Sequence, residues 1–265
     1  MGPSFEDLIS EAEAAPIDGW NFSWLDGRAT EERPSWRYSE LLAQRAAETA
    51  SLLDLQTGGG ELLSEVPHLP PVTVATEGWG PNVGRAKLQL QPRGAFVVMA
   101  YDEQLPFASD QFDLVVSRHP VATCWEEVAR VLRPGGRFLS QQVGPHSMRE
   151  VTEYFMGPQP TMSARTPEHA REDAETAGLH VEDLRMERLR ATFYDVGAIV
   201  YFLRLVVWTV PDFTVDRYKD RLAAMHSNIV ARGPFVAHAT RFLIEACKPS
   251  SVVAGDRSPV IGAIS

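Results

Sequence analysis

The chain has 265 residues, 44% hydrophobic and 23% charged, enough for one large α/β domain or two small ones. Asp and Glu (35) outnumber Lys and Arg (25), and the formal charge of −10 argues against nucleic acid and anionic membranes as partners. Cys124 and Cys247 make no metal-ligand spacing or disulfide framework, and the most apolar run, 196–208, is interrupted by Arg204 and too short for the ~20 residues of a membrane span, so the expectation is a cytoplasmic protein with free thiols and no metal.

Residues 1–48 place Trp20, Phe22, Trp24 and Trp36 close together, as an aromatic cap over a ligand or as the packing of a docked N-terminal helix. A short apolar run at 51–55 stops at glycines, and 61–69 follows with helical spacing. The β-branched run 72–77 reads as a strand ending at Glu77, and 81–90 as a helix opened by proline. Further strands are expected at 94–102 and 111–119. A helix over 124–132 carries Val128, Val131 and Leu132 on one face, is stopped by "RPGG", and leads to a strand at 137–144. Residues 168–178 read as a helix, 180–193 as a long strand, 195–233 as two helices and 238–248 as a last strand, with an irregular tail after Lys248. Alternating strands and helices imply βαβ units and a parallel sheet covered on both faces. Ligands then bind at the carboxyl ends of the strands, which puts functional residues near 56–60, 77–79, 101–103, 117–119 and 141–146.

The first of these stretches, Asp54-Leu55-Gln56-Thr57-Gly58-Gly59-Gly60, poses a choice of ligand. A phosphate loop needs Lys and Ser or Thr after its glycines, but Glu61 follows. A dinucleotide fingerprint needs a third glycine where Leu63 stands, and Asp54 would repel a pyrophosphate. A carboxylate there suits a ligand with a positive group. Glu77, at the next strand end, can accept the two hydroxyls of a ribose.

Four blocks, in order, resemble the class I S-adenosylmethionine-dependent methyltransferases that act largely on small molecules. They are the loop at 54–60, the acid Glu77, the run Tyr101-Asp102-Glu103-Gln104-Leu105-Pro106-Phe107 through Phe112-Asp113, and Glu127-Val128-Ala129-Arg130-Val131-Leu132-Arg133-Pro134-Gly135-Gly136. The resemblance covers roughly 50–145. It implies a Rossmann-like, doubly wound α/β sheet of seven strands, mostly parallel with an antiparallel last strand; the two helices at 195–233, outside the resemblance, are expected to add a helical lid. The chain then reads as a single domain over 1–265: an aromatic cap (1–48), a core sheet (49–194 and 234–250) and a helical insertion over the active site (195–233).

The implied cofactor is S-adenosyl-L-methionine. Asp54, Gln56, Thr57, Gly58 and Gly60 would surround its methionine part, Glu77 and Gly78 its ribose, and Trp79 could stack on adenine. Tyr101, Asp102 and Glu103 would read the adenine edge, and Ser117, Arg118 and His119 would line the sulfonium. Two positions depart from the pattern: Gln56 replaces the first loop glycine, and Tyr101 replaces the usual acid, with Asp102 one place later.

Methyl transfer from a sulfonium is an in-line displacement, so the protein mainly aligns the reactants and excludes water. A base is needed only where the nucleophile must lose a proton. His119 is the first candidate and His146 the second. Tyr194 and Asp195 could also face the crevice, though Asp195 sits where a helix N-cap would. Arg28, Arg33 and Arg45 are candidates for the cofactor carboxylate, and Tyr201, Phe202, Trp208 and Phe213 for an apolar wall. The expected function is methyl transfer to an O, N or C nucleophile of a small, partly apolar or aromatic molecule. The alternatives are a methyltransferase for RNA or protein and a non-catalytic S-adenosylmethionine-binding protein.

Overall fold

The structure, a computed structural model, describes residues 2–17, 19–160 and 165–250. Most of the tail after Lys248 thus lies outside the described residues. An eight-stranded sheet runs through the described part in the order β1-β7-β8-β6-β5-β2-β3-β4. Five strands are parallel: β2 (Ser51–Leu55), β3 (Val72–Glu77), β4 (Phe96–Met99), β5 (Phe112–Arg118) and β6 (Leu132–Val143). The last strand, β8 (Phe235–Cys247), is antiparallel to both β6 and β7 (His180–Phe193). The doubly wound sheet with an antiparallel last strand is therefore as expected. The strand count is not seven: β1 (Ala29–Glu31), inside the stretch read as a cap, pairs antiparallel with the upper end of β7.

One face of the sheet carries α2 (Tyr38–Ala47) and α4 (Gly80–Leu90), over a core that includes Trp36, Leu42, Leu90, Leu139 and Leu243. The other carries α5 (Trp125–Val131) and α7 (Pro167–Thr176), over Phe138, Phe242 and Ile244. The strand β2 is buried at every position, as a central parallel strand between two helical layers must be. The helix expected over 61–69 is a single turn, α3 (Glu61–Ser64). The "RPGG" stretch stops α5 as expected, but β6 already begins at Leu132. Leu132 pairs with Phe112, Arg137 pairs with Leu114, and 133–136 bulge out between them. A short helix that periodicity did not reveal, α6 (Arg149–Met156), packs on β8.

A third core lies where β7 and β8 run on past the rest of the sheet. The two helices of the insertion, α8 (Val196–Leu205) and α9 (Val215–Arg232), meet the N-terminal helix α1 (Phe5–Ala14) there. Asp195 caps α8, its Oδ1 accepting from the Ala198 N–H at 2.8 Å. Arg204, which interrupts the apolar run, reaches the carbonyls of Ala12 and Ala15 just past α1. Among the described residues no helix is long and apolar enough to cross a membrane.

Candidate functional site

The strand order reverses between β2 and β5, whose carboxyl ends lie side by side with Leu55 paired to Ser117. The crevice at such a switch point is where an open α/β sheet binds its ligand. The loops at 56–60, 77–79, 101–103 and 117–119 all open there because each follows a parallel strand.

The loop after β2 turns through left-handed backbone at Gln56 (φ 54°), Gly58 (φ 65°) and Gly60 (φ 86°). A side chain on Gly60 would strike Leu90 and come within 3.4 Å of the Ala86 backbone, so glycine there lets the loop lie on α4. A Cβ on Gly58 would meet only the tip of Glu61, at 3.9 Å, so the space beside it is open. Beneath the loop, Asp54 is 4% exposed and accepts the Thr57 hydroxyl at 2.6 Å. Burial above all, together with the nearby Glu77 charge, pushes its pKa up to about 7 against the pull of the Thr57 bond. A cation bound above the loop would relieve that cost.

Glu77 accepts the Gly58 N–H at 2.9 Å through one carboxylate oxygen and the Trp79 N–H at 2.9 Å through the other. Each oxygen keeps a lone pair, so the carboxylate is held in place and can still accept two hydroxyls. Trp79 and Tyr101 are exposed, and the Tyr101 ring lies against Gly78, where a Cβ would come within 2.9 Å of it.

Gln56 explains itself in three dimensions. Its left-handed backbone is the conformation for which the resembled loop has glycine, and a side chain there carries strain. Its amide spans the crevice. Nε2 donates to the Asp102 carboxylate and to the Ala122 carbonyl at 2.8 Å, and Oε1 accepts from the Val121 N–H at 2.7 Å. Three loops at this end of the sheet are thereby tied together. The Asp102 pKa is raised, mainly by burial, with Gln56 opposing.

The other motif blocks hold the loops. The Glu127 carboxylate accepts the Leu105 N–H at 2.7 Å, while Arg130 donates to the carbonyls of Phe107 at 2.6 Å and Leu105 at 3.1 Å. Arg130 also pairs with Glu127 at 2.6 Å, so the two blocks form one unit. Asp113 accepts the N–H groups of Ala50 and Ser51, both at 2.9 Å, and fixes the start of β2 against β5. Ser117 is buried, its hydroxyl given to the Leu55 carbonyl at 3.1 Å.

His119 (φ 54°) follows β5, and its N–H donates to the Gln141 carbonyl at 2.7 Å. The side chain is exposed at one side, and desolvation of the rest, then the charges of Arg241 and Arg118, lower its pKa and favour the neutral imidazole. His146 does not share this place. It lines a cavity of about 360 Å³ with Arg149, Glu150, Met186, Arg188 and Thr240. There Arg149 contacts His146 Nδ1 at 3.0 Å and pairs with Glu153 at 2.7 Å.

The arginines and aromatics proposed from sequence divide. Arg45 is committed to Glu245, at 2.7 Å, and Arg28 to Glu11, at 2.5 Å, with its guanidinium over Trp24. Trp24 stacks on the buried Tyr201, and Phe202 is buried too, so these are core residues rather than a ligand wall. Phe213 stacks on Tyr218 in the same cluster. Trp20 and Trp208 are exposed and meet edge to face at 5.4 Å. Of the N-terminal aromatics it is Trp36, buried, that reaches the β5–β6 edge, donating to Gln141 Oε1 at 2.8 Å. Tyr38 joins it there, its hydroxyl on the carbonyls of Ser117 and Leu139, both at 3.0 Å. Gln141 and Tyr38 carried no motif signal, because contacts across a hundred residues of chain leave no local pattern.

Residues 53–140 match a family model described as a methyltransferase domain. Among curated proteins, the chain is similar to the uncharacterized protein YafE of Escherichia coli (strain K12), 42% identical over 59 residues, 19% of this chain and 28% of that one. It is similar also to the ubiquinone/menaquinone biosynthesis C-methyltransferase UbiE of Geobacter sulfurreducens, 30% identical over 115 residues, 38% of this chain and 45% of that one. The chain thus spans less than half the length of these curated relatives. Among solved structures, BH2331 of Bacillus halodurans C-125, a provisionally named methyltransferase, shares the fold with a TM-score of 0.59 at 18% identity, over 80% of this chain and 99% of that one. Four motif blocks, the crevice they line and the family match coincide on one stretch: residues 53–140 are similar to a methyltransferase domain, within a fold shared with solved methyltransferase-like structures.

Proposed function

We propose that the protein transfers a methyl group from S-adenosylmethionine to an O, N or C nucleophile of a small, partly apolar or aromatic molecule. One observation carries the reading: the open, left-handed glycine loop lies over a buried carboxyl, Asp54, and is tied through Gly58 to Glu77. That unit fits the cofactor. Asp54 faces the positive charge, the space beside Gly58 takes the methionine part, and the spare lone pairs of Glu77 take the ribose hydroxyls. Tyr101, Asp102 and Glu103 line the adenine end, with Trp79 beside it. Bound there, the cofactor supplies an already activated methyl. The protein's share is to hold, align and keep water out.

The small acceptor is supported by the acidic charge and by the quinone-pathway name of the Geobacter relative. The exposed Trp20, Trp208 and Tyr194 are the aromatic surface that the N-terminal segment and the insertion offer as a lid. A cytoplasmic location belongs to the same proposal. The Gln141 amide at 2.9 Å from His119 Nε2, together with the lowered pKa of the ring, argues against proton removal by that group.

A second reading, binding without transfer, is favoured by Gln56, whose amide bridges the loops that must admit the cofactor. Calorimetry with S-adenosylmethionine decides between them. Wild type is expected to bind, Glu77→Ala to lose at least tenfold in affinity, and Gln56→Gly to bind more tightly by opening the bridge. Absence of wild-type binding sinks the cofactor assignment. Binding with no transfer to a broad acceptor panel, in wild type and Gln56→Gly alike, supports the second reading.

A further inference from the structure

At the carboxyl end of β5 and β6 a chain of side chains runs from the N-terminal segment to the crevice. Trp36 Nε1 donates to Gln141 Oε1 at 2.8 Å, and Gln141 Nε2 lies 2.9 Å from His119 Nε2. Trp36 and Gln141 are both buried, at 5% and 3% exposure, so neither group has water as an alternative partner. An indole N–H can only donate. It therefore fixes which end of the Gln141 amide is the oxygen, and the amide nitrogen must face the imidazole. An amide nitrogen donates, so His119 Nε2 must accept. The proton of the neutral ring then sits on Nδ1.

The charges around this ring are of one sign. Arg118 lies next in the chain and Arg241 reaches it from β8. Arg241 is paired with Glu31 at 2.9 Å and also donates to Ser147 Oγ at 3.2 Å. Arg118 is exposed and, among the described residues, its guanidinium has no hydrogen-bond or ion-pair partner. The crevice edge thus carries an uncommitted cation, close enough for its charge to act on the ring, and a neutral N–H donor on the adjacent residue, and among the described residues no carboxylate is paired with either.

We propose that Trp36 and Gln141 are positioning residues that hold His119 as the neutral Nδ1–H tautomer, and that Arg118 and this N–H together form a site for an oxyanion of the carboxylate class. The oxyanion belongs either to the methyl acceptor or to the amino-acid end of the cofactor. This rests on the methyltransferase reading for the identity of the ligand, and on the fold alone for the tautomer. It reverses the role that position in the chain suggests for His119. Nε2 is engaged as an acceptor, so the ring offers a proton to a hydrogen bond rather than taking one away.

The test has two arms. In the first, the unliganded full chain is labelled with ¹⁵N-histidine and followed by long-range proton–nitrogen NMR, with His119→Asn assigning the signal. Wild type is expected to show a protonated Nδ1 and bare Nε2, unchanged from pH 8 to 5. Trp36→Phe frees the Gln141 amide to turn and should shift His119 to a mixture of tautomers. Gln141→Glu should bring its titration up into that pH range. A wild-type ring protonated on Nε2, or titrating near 6.5, overturns the proposal.

In the second arm, Arg118→Gln is compared with wild type for S-adenosylhomocysteine, for 5′-methylthioadenosine, which lacks the amino-acid end, and for benzoate added to the S-adenosylhomocysteine complex. A tenfold or greater loss for S-adenosylhomocysteine, with 5′-methylthioadenosine unchanged, assigns the oxyanion to the cofactor. The same loss for benzoate alone assigns it to the acceptor. Equal affinities throughout overturn the anion site. If wild type binds no S-adenosylhomocysteine, the methyltransferase reading fails, and the first arm still decides the tautomer.

Discussion

Asp54 is the residue at which burial and function oppose each other most directly. Its pKa of about 7 in the fold lies well above that of an aspartate in water, near 3.9. The folded state therefore holds the proton more tightly than the unfolded chain does. Stability falls as pH rises from about 4 to about 7, by up to ~1.4 kcal/mol per pH unit, and is level above that. Asp54→Asn removes this slope. The variant should gain melting temperature over wild type at pH 8 but not at pH 4, at roughly 2–4 °C per kcal/mol. Thermal melts at the two values check it, and an equal gap at both would refute the buried-carboxyl account. A cationic ligand has the reverse dependence, because it favours the ionised carboxylate. Wild-type affinity for S-adenosylmethionine should rise between pH 6 and 8, and that of Asp54→Asn should not.

Among the elements, α1 and α8 meet at a distance that one residue sets. A Cβ on Gly197 would stand 2.8 Å from the Leu8 carbonyl oxygen and 3.0 Å from Asp195 Oδ1, the oxygen that caps α8. The first is backbone and cannot swing aside. Gly197→Ala should push the helices apart, weaken the cap and cost about 1–3 kcal/mol, read in urea unfolding. Its effect should be confined to the third core, leaving cofactor affinity close to wild type. The same packing explains why Tyr201 is not in the ligand wall: it is buried, with its hydroxyl donated to the carbonyls of Pro16 and Asn21 at 3.3 and 3.0 Å. Helical spacing announces an apolar face, but it cannot say which neighbour covers it.

Across the whole molecule the formal charge is −10, and several arginines of β6, β7 and α6 are taken up in ion pairs. Arg188 pairs with Glu150 at 2.7 Å, and Arg149 with Glu153 at 2.7 Å. Arg137 pairs with both Glu182 and Glu245. Such pairs leave little net positive potential for a polyanion. The protein should pass through heparin or immobilised transfer RNA without retention at 0.15 M salt. Retention would restore RNA to the candidate acceptors.

By itself the sequence determined the parallel βαβ core, because five apolar runs alternate with helical spacing and each ends in a turn residue. It also singled out Asp54, Gly58, Gly60 and Glu77, which the fold brings together at one crevice, since residues at the strand ends of such a sheet stand in short motifs. The Glu127–Arg130 block was legible as a pattern, though only the fold showed that it ties down the loop at Leu105 and Phe107. Tertiary structure alone decided that β1 extends the sheet, that Gln56 bridges three loops, and that Trp36 governs His119 through Gln141. The reason is range. Periodicity and motifs record interactions within a turn or a strand. Which of two tautomers a histidine adopts is set by a donor 83 positions earlier, in a segment with no pattern of its own, reached only once the sheet has formed.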